Sequence, residues 1–313
     1  MNHRDSLSII HHLLTTSLNA PENIFSFQKW KEDWLETASR WPTPVDRALA
    51  GGLAADRPSW AFAAGYQAAI HSLTDRAGAG EIAAVCITER GKPHPSRIGS
   101  QLTRDEENQS RWRLTGTKTF VSCADWADTL WIAASIGKDG QGRNRLRMAK
   151  VSSGSPGVAL ESLSPLAILP EIPHGRVRLK EVALGEEDLL PGDGYLAAMK
   201  PFRTLEDLHV TAAFLAWLFG VGRRTGWPAG TLEEMTACMV AARSLALQPS
   251  LEPHLHIVLG GLLGQVNRLV EEVEPLWPGA DPAIRESWQR DRRVLEIAEG
   301  TRSKRLQAAW RHY

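Results

Sequence analysis

Hydrophobic spacing changes period twice along this 313-residue chain, and that double change constrains the fold more than any other feature. Over residues 1–79 the apolar positions recur at helical intervals. "SFQKWKEDWLETASRW" carries Phe27, Trp30, Trp34, Leu35 and Trp41 on such a spacing, and the "WPTP" that follows stops the helix. "RPSWAFAAGYQAAIHSL" predicts an Ala-rich helix capped by Ser59, with side chains small enough for burial on several sides. Over residues 80–195 the period shortens. "EIAAVCITE", "RWRLTGTKTFVS", "TLWIAASIG", "RLRMAKVSS", "GVALESL" and "RVRLKEVAL" are β-type runs, separated by turn signals such as "LTGTK", "GKDGQGRN", "SGSPG" and "PHG". Strands joined by hairpin turns without intervening helices predict an antiparallel barrel or sandwich. Over residues 196–313 the helical period returns in three or four long segments, enough for an antiparallel bundle. The expectation is an α+β multidomain chain: N-terminal helices (1–79), a middle antiparallel β domain (80–195) and a C-terminal helical bundle (196–313).

Composition narrows the function classes. Hydrophobic residues make up 43 % and charged ones 23 %, an ordinary globular balance with ample material for a core. Thirty-six basic residues balance 36 acidic ones, and a net charge of +0 gives no overall attraction to nucleic acid or anionic membrane. Cys86, Cys123 and Cys238 are too few and too scattered for a disulfide framework or a zinc site, and point to a reducing compartment. No apolar run approaches the ~18 residues of a membrane span. "MNHRDSLSIIHHLLTTSLN" reads as a short amphipathic helix, because His11 and His12 break its apolar part. The expected protein is cytoplasmic.

One stretch near the C-terminus, "VLEIAEGTRSKRLQ" (294–307), carries a candidate reactive group. Asp281-Pro282 opens what reads as one long helix, with Ile284, Trp288, Leu295, Leu306 and Trp310 on a single face. Glu299 falls on that apolar stripe, next to Gly300, a residue that costs about 1 kcal/mol relative to Ala inside a helix. A carboxylate there is either desolvated, at the edge of a cleft, or paired with Arg302 on a solvated flank. Other signatures are sparse. There is no Gly-rich phosphate loop and no HExxH, and neither His11-His12 nor His254-Leu255-His256 shares a helix face as metal ligands would. "LGGLLG" (259–264) reads as a small-residue stripe for helix packing. "RDRR" (290–293) and "RSKR" (302–305) read as solvated faces or as phosphate attractors.

Four strings, in order, resemble the acyl-CoA dehydrogenase family of flavoproteins. "VCITERG" (85–91) resembles its strand ending in Thr-Glu-Pro-Gly. "WRLTGTKTFVSCADWADTLWIAA" (112–134) resembles its Gly-x-Lys turn, aromatic-x-Thr/Ser and Ala-Asp. "EVALGEEDLLPGDGY" (181–195) is similar to the exit from its β domain. "RDRRVLEIAEGTRSKR" (290–305) resembles its Arg-Asp…Ile-Tyr-Glu-Gly-Thr. The resemblance implies FAD as cofactor and an acyl-CoA or other acyl thioester as substrate. It implies that Glu299 is the catalytic base for the α-proton while the β-hydride goes to flavin, with Gly300 letting substrate approach. It implies cofactor contacts at Thr88, Phe120 (the ring-covering aromatic), Ser122 and Thr301, and makes Arg203 the nearest match to the arginine opening the first bundle helix. It also implies a homodimer or homotetramer formed through the bundle.

The chain departs from the family pattern in several places, its shorter N-terminal helical block among them. "KPHPSR" (92–97) follows "TERG" where the family has Gly-Ser-Asp against the flavin phosphates; "GVGRRTGWPAG" (220–230) replaces a partner-subunit motif; and "LGGLLG" lies too far from Glu-Gly to be the family's glycine turn. A second reading therefore stands beside the enzyme, a relative that kept the fold and lost the flavin to serve as a binding or scaffold subunit. A nucleic-acid-binding variant through the two arginine clusters is disfavoured by the neutral charge.

Overall fold

The computed structural model describes residues 8–17, 19, 23–24, 26–74, 80–89 and 94–313. The chain forms two compact units. A helical unit comprises Met1–Ser72, Ala167–Leu169 and Thr204–Tyr313; a β unit comprises Leu73–Leu166 and Pro170–Arg203.

In the helical unit the first block gives α1 (Ser8–Thr15), α2 (Phe27–Arg40), α3 (Pro44–Ala54) and α4 (Pro58–Leu73). Ser26 caps α2 by accepting the Lys29 N–H, as its position before the apolar run requires. Helix α4 begins at Pro58, so Ser59, expected as its cap, lies inside the first turn and is buried. The Ala-rich sequence of α4 does its expected work, since almost every side chain from Pro58 to His71 is buried. The second block gives α5 (Lys200–Thr225), α6 (Ala229–Ala246) and α7 (Pro253–Glu272). The stretch Tyr195–Thr225 is long and apolar enough to cross a membrane by length and composition, contrary to the expectation that no run comes close; 94 % of its most apolar window is buried in protein, which makes it a core helix.

Small residues set how closely these helices approach. A Cβ on Gly52 of α3 would sit 2.1 Å from the Ala213 carbonyl oxygen of α5, and one on Gly65 of α4 would sit 2.6 Å from Val210 Cα. Both helices therefore pack backbone against backbone on α5. Tryptophans fill the remaining volume. Trp30 stacks on Trp34 and Trp60 at 5.8 and 6.1 Å, while Trp217, Trp277 and Trp288 pack mutually at 5.5–6.0 Å with Trp227 edge-on to Trp277.

The single helix expected from Asp281 onward is three elements. Asp281 caps α8 (Pro282–Asp291) through the Ala283 N–H at 2.8 Å; a 3-10 turn covers Arg292–Leu295; and α9 runs Glu299–Trp310. Asp291 explains the break. Its carboxylate is fully buried, accepts the Leu169 backbone N–H at 2.8 Å and pairs with Arg290, so the chain is held at the point where a continuous helix would carry it away.

The β unit is one seven-stranded sheet: β1 (Ala83–Cys86), β2 (Gln101–Arg104), β3 (Trp112–Ser122), β4 (Thr129–Lys138), β5 (Asn144–Ser152), β6 (Val158–Ser162) and β7 (His174–Leu184), in the order β1-β4-β2-β3-β7-β6 with β5 on β4. Its pairings are antiparallel except that β1 and β2 run parallel to β4. The four-residue β2 escaped the sequence reading because it offers only one buried side chain, Leu102. "LTGTK" is not a turn but lies within β3, where a Cβ on Gly116 would strike Ser100 Oγ at 2.2 Å. Leu114, Leu130, Ile132, Val151, Val177 and Leu179 form the core of the sheet.

A buried ion pair links β3 to the residues after β1. Lys118 is 0 % exposed and its Nζ donates to Glu89 Oε1 at 2.7 Å and to the Ala133 carbonyl. Burial alone would raise the Glu89 carboxyl, but the Lys118 charge and hydrogen bond, with the Gly99 and Ser100 N–H groups, hold it below its ordinary value.

Two stability outcomes follow from these contacts. Gly52→Ala forces a methyl onto a backbone carbonyl and is expected to lower unfolding free energy by about 3 kcal/mol, read from the urea midpoint. Glu89→Gln leaves Lys118 buried without a counter-charge, for an expected loss of about 3–5 kcal/mol. Because the folded Glu89 value lies below the unfolded one, its contribution is present above the unfolded carboxylate range and is lost as pH falls through the folded value; the acid limb of a pH–stability curve should flatten in the variant.

Candidate functional site

The β unit gathers three of the sequence-predicted cofactor residues around one irregularity in β3. Between Lys118 and Val121 the register with β7 shifts, and within the bulge Phe120 adopts φ 53°. A non-glycine residue in the left-handed region stores strain. The result is a Phe120 ring that is 62 % exposed, while the Thr119 N–H donates to the Thr88 carbonyl at 2.8 Å. Thr88 is half-buried at the end of the segment leaving β1. Ser122 ends β3 opposite His174 of β7, with Oγ 3.1 Å from Nε2. His174 Nδ1 faces the Ile172 carbonyl at 3.0 Å, so Nδ1 carries the proton and Nε2 accepts from the serine. Burial lowers the His174 pKa against the opposing pull of that carbonyl, which keeps the ring neutral.

Sequence reading missed two residues here. Thr119 Oγ1 is buried with no hydrogen-bond partner among the described residues. The other is Ser100. Glu89 accepts the Gly99 and Ser100 backbone N–H groups at 2.7 and 3.0 Å and the Ser100 hydroxyl at 2.8 Å. An exposed aromatic on a strained bulge, flanked by the hydroxyls of Thr88 and Ser122 and by an orphaned Thr119 hydroxyl, suits a planar ring system with polar edges, and these residues fit a flavin ring. The Gly99 and Ser100 amides are already spent on Glu89, so they are not a free phosphate cradle.

The helical unit holds the remaining candidates except Arg203, the last residue of the β unit. Glu299 is the first residue of α9, and Gly300 and Thr301 follow it in the opening turn, all three exposed. The expected desolvation of Glu299 is not found. Because α8 and α9 are separate helices, position 299 leaves the apolar stripe and becomes a helix start, where a negative charge interacts favourably with the macrodipole. The carboxylate lines the lip of a cavity of about 210 Å³ whose apolar wall is Leu259, Leu263, Leu295 and Leu306, joined by His256 and Arg302. Gly300 has no neighbour within 4 Å of a built Cβ, so nothing in the chain itself requires a glycine there. Gly260 of "LGGLLG" packs on Leu306, the role expected of a small-residue stripe. Arg203 lies half-buried in the first turn of α5.

Asp207 of α5 fixes α9. Its carboxylate, 5 % exposed, pairs with Arg302 at 2.8 Å and with Arg305, while Arg305 also donates to Thr204 Oγ1 and Arg302 to the Leu295 carbonyl. Arg302 is thus bonded across the unit instead of to Glu299. The two basic clusters are largely consumed this way, since Arg290 pairs with Asp291 and Arg292 with Glu274.

This two-unit arrangement, with a bulged β3 and an Arg-clasped terminal helix, has the fold of the acyl-CoA dehydrogenases. Butyryl-CoA dehydrogenase from Megasphaera elsdenii matches with a TM-score of 0.64 at 14 % identity over 99 % of this chain and 97 % of that one. TdsC from Paenibacillus sp. A11-2, crystallised with FMN, matches with 0.66 at 16 % identity over 91 % and 90 %; glutaryl-CoA dehydrogenase from Mycobacterium smegmatis, in complex with FADH2, with 0.56 at 14 % over 98 % and 93 %. TdsC is a dibenzothiophene monooxygenase, so the fold houses more than one reaction. No family model and no curated protein matches the chain.

Replacing Asp207 with Asn removes the charge shared by two arginines. Stability should fall by about 1.5–3 kcal/mol, and amide exchange should accelerate across 299–310 more than elsewhere in the helical unit.

Proposed function

We propose that the protein is a flavin-dependent dehydrogenase that oxidises the α,β carbon–carbon bond of an acyl thioester, such as an acyl-CoA, with FAD as cofactor. The observation that carries this reading is Glu299 at the lip of a leucine-walled cavity, in a chain with the acyl-CoA dehydrogenase fold. In this reading the leucines receive the acyl chain and the Glu299 carboxylate, free of any ion pair with Arg302, removes the α-proton. Gly300 leaves space beside the substrate, and Arg203 contributes to substrate binding. A bound flavin supplies the acceptor for the β-hydride. Thr88, Phe120 and Ser122 hold its ring, and Thr301 lies near its adenosine half. His174 fixes the Ser122 hydroxyl so that its oxygen presents lone pairs to whatever lies against it. Closure by substrate supplies the desolvation that an exposed carboxylate lacks, bringing its basicity toward that of an α-proton. The protein works as a homodimer or homotetramer through its helical unit, whose exposed Val240, Leu247, Val258, Trp310 and Tyr313 supply apolar surface.

A second reading rests on a specific observation. The Gly99 and Ser100 amides are occupied by Glu89, and Glu299 is exposed, as expected of a relative that has lost its flavin and acts as a binding or scaffold subunit.

The visible spectrum separates the two. The enzyme reading expects yellow protein, or uptake of FAD with micromolar or better affinity, and acyl-thioester-dependent bleaching that Glu299→Gln slows by about 10²–10⁴-fold while flavin stays bound. Colourless protein that takes up neither FAD nor FMN leaves the scaffold reading in place.

A further inference from the structure

We propose that a second cavity in the helical unit, walled by α1, α2, α3 and α5, binds a small organic phosphate. Its volume is about 460 Å³, more than twice that of the cavity beside Glu299. That lies within the roughly 300–1,000 Å³ of small-molecule sites and is far more than a bare oxyanion fills.

Its charges are out of balance. Lys29, Arg40, Arg223 and Arg224 line it against Asp33 and Glu36. Lys29 holds Asp33 at 2.8 Å, so of the two carboxylates among the described lining residues only the exposed Glu36 remains to face three guanidinium groups. Arg223 has a structural duty, donating to the Leu13 and Thr16 carbonyls at 2.8 and 3.0 Å and so capping the end of α1. Arg224 has none. It is half-buried, makes no hydrogen bond or ion pair with any described residue, and both burial and the neighbouring Arg223 disfavour its charged form. A solvated surface arginine needs no partner; a half-buried one beside a second guanidinium is a standing electrostatic deficit that a dianion removes.

Part of the lining is aromatic. Trp41 lines the cavity with the His12 ring at 5.3 Å, and Arg40 lies 5.6 Å over the indole at the exposed rim. Burial and Arg40 lower the His12 pKa, so the imidazole is neutral and presents a ring surface. A phosphate placed against Arg224 and Arg40 would carry its organic group onto Trp41 and His12. Ala50, Leu53 and Ala54 of α3 and Gly220 of α5 close the floor with small and apolar groups. All of these residues belong to the helical unit, and the proposal is independent of any flavin.

Phenyl phosphate is the test ligand, because it has both the dianion and the ring but no adenine that a nucleotide or coenzyme site would accept. Calorimetry on the full chain is expected to show binding at sub-millimolar Kd, with inorganic phosphate at least about tenfold weaker. Arg224→Gln, verified as folded by circular dichroism, should weaken phenyl phosphate binding by at least about tenfold, and Arg40→Gln at the exposed rim by at least about threefold. If Arg224→Gln does not fold, Arg224→Lys, which keeps the charge and loses the fork, and Arg40→Gln carry the test. No binding at about 10 mM overturns the proposal, as does wild-type affinity in the folded variants. Inorganic phosphate binding as tightly as phenyl phosphate also overturns it, reducing the cavity to a basic patch without an organic subsite.

Discussion

The helical unit's candidate chemistry hangs on one carboxylate. Asp207 projects from the buried face of α5 and holds Arg302 and Arg305, three residues apart on α9 and therefore on the same side of that helix. The setting of Glu299 depends on this clasp, because α9 begins at Glu299 and follows a 3-10 turn instead of continuing α8. A short terminal helix is marginal by itself. Two arginines fixed to one nearly buried acid give it a single rotational setting, and that setting turns Glu299 toward the leucines of α7. The Arg302 contact to the Leu295 carbonyl then satisfies a backbone acceptor that the broken helix would leave open.

The β unit solves a comparable problem with strain. Its strand β3 carries a bulge with Phe120 in the left-handed region and a buried hydroxyl without a partner among the described residues. Both features are unfavourable locally. They persist because Lys118, one residue before the bulge, is locked to Glu89 and Ala133, and Ser122, two residues after it, is locked to His174. The strain lies between two fixed points, so it cannot relax along the strand. An exposed aromatic side chain held in this way is a preorganised surface for a planar ligand, which is the physical content of the flavin assignment.

The sequence was informative wherever a pattern was local and repeated. The helix–β–helix order, the opening of α8 at Asp281-Pro282 and the small-residue logic of α4 follow from spacing and from residue chemistry within one turn. It was least informative where a distant residue overrode the local pattern. Nothing near Leu295 announces that Asp291 will be held by Leu169, 122 positions away, and so the heptad-like stripe through Leu295 and Leu306 looked continuous. The same override hid the Glu89 clasp, since nothing in "TERG" announces that this carboxylate will hold the Gly99 and Ser100 amides, ten and eleven positions on. "LTGTK" misled for a third reason, since a glycine required by the close approach of Ser100 carries the same letter as one required by a turn.

Glu299 shows how far residue identity alone can be carried. The string Glu-Gly-Thr singled it out, and its position beside an apolar cavity agrees with a base for a carbon acid. Its exposure does not, because a solvated carboxylate is poorly matched to an α-proton. The two observations are compatible only if water leaves when substrate enters. That demand falls on the cavity walls: Leu259, Leu263 and Leu306 can exclude water from one side of the carboxylate, and an acyl chain lying along them would exclude it from the other. The thioester would then act as its own desolvating group, and the reactivity of Glu299 would rise with the apolar surface of the substrate instead of being stored in the resting protein. In the proposed reaction the binding energy of the acyl chain would convert an exposed carboxylate at a helix start into a base.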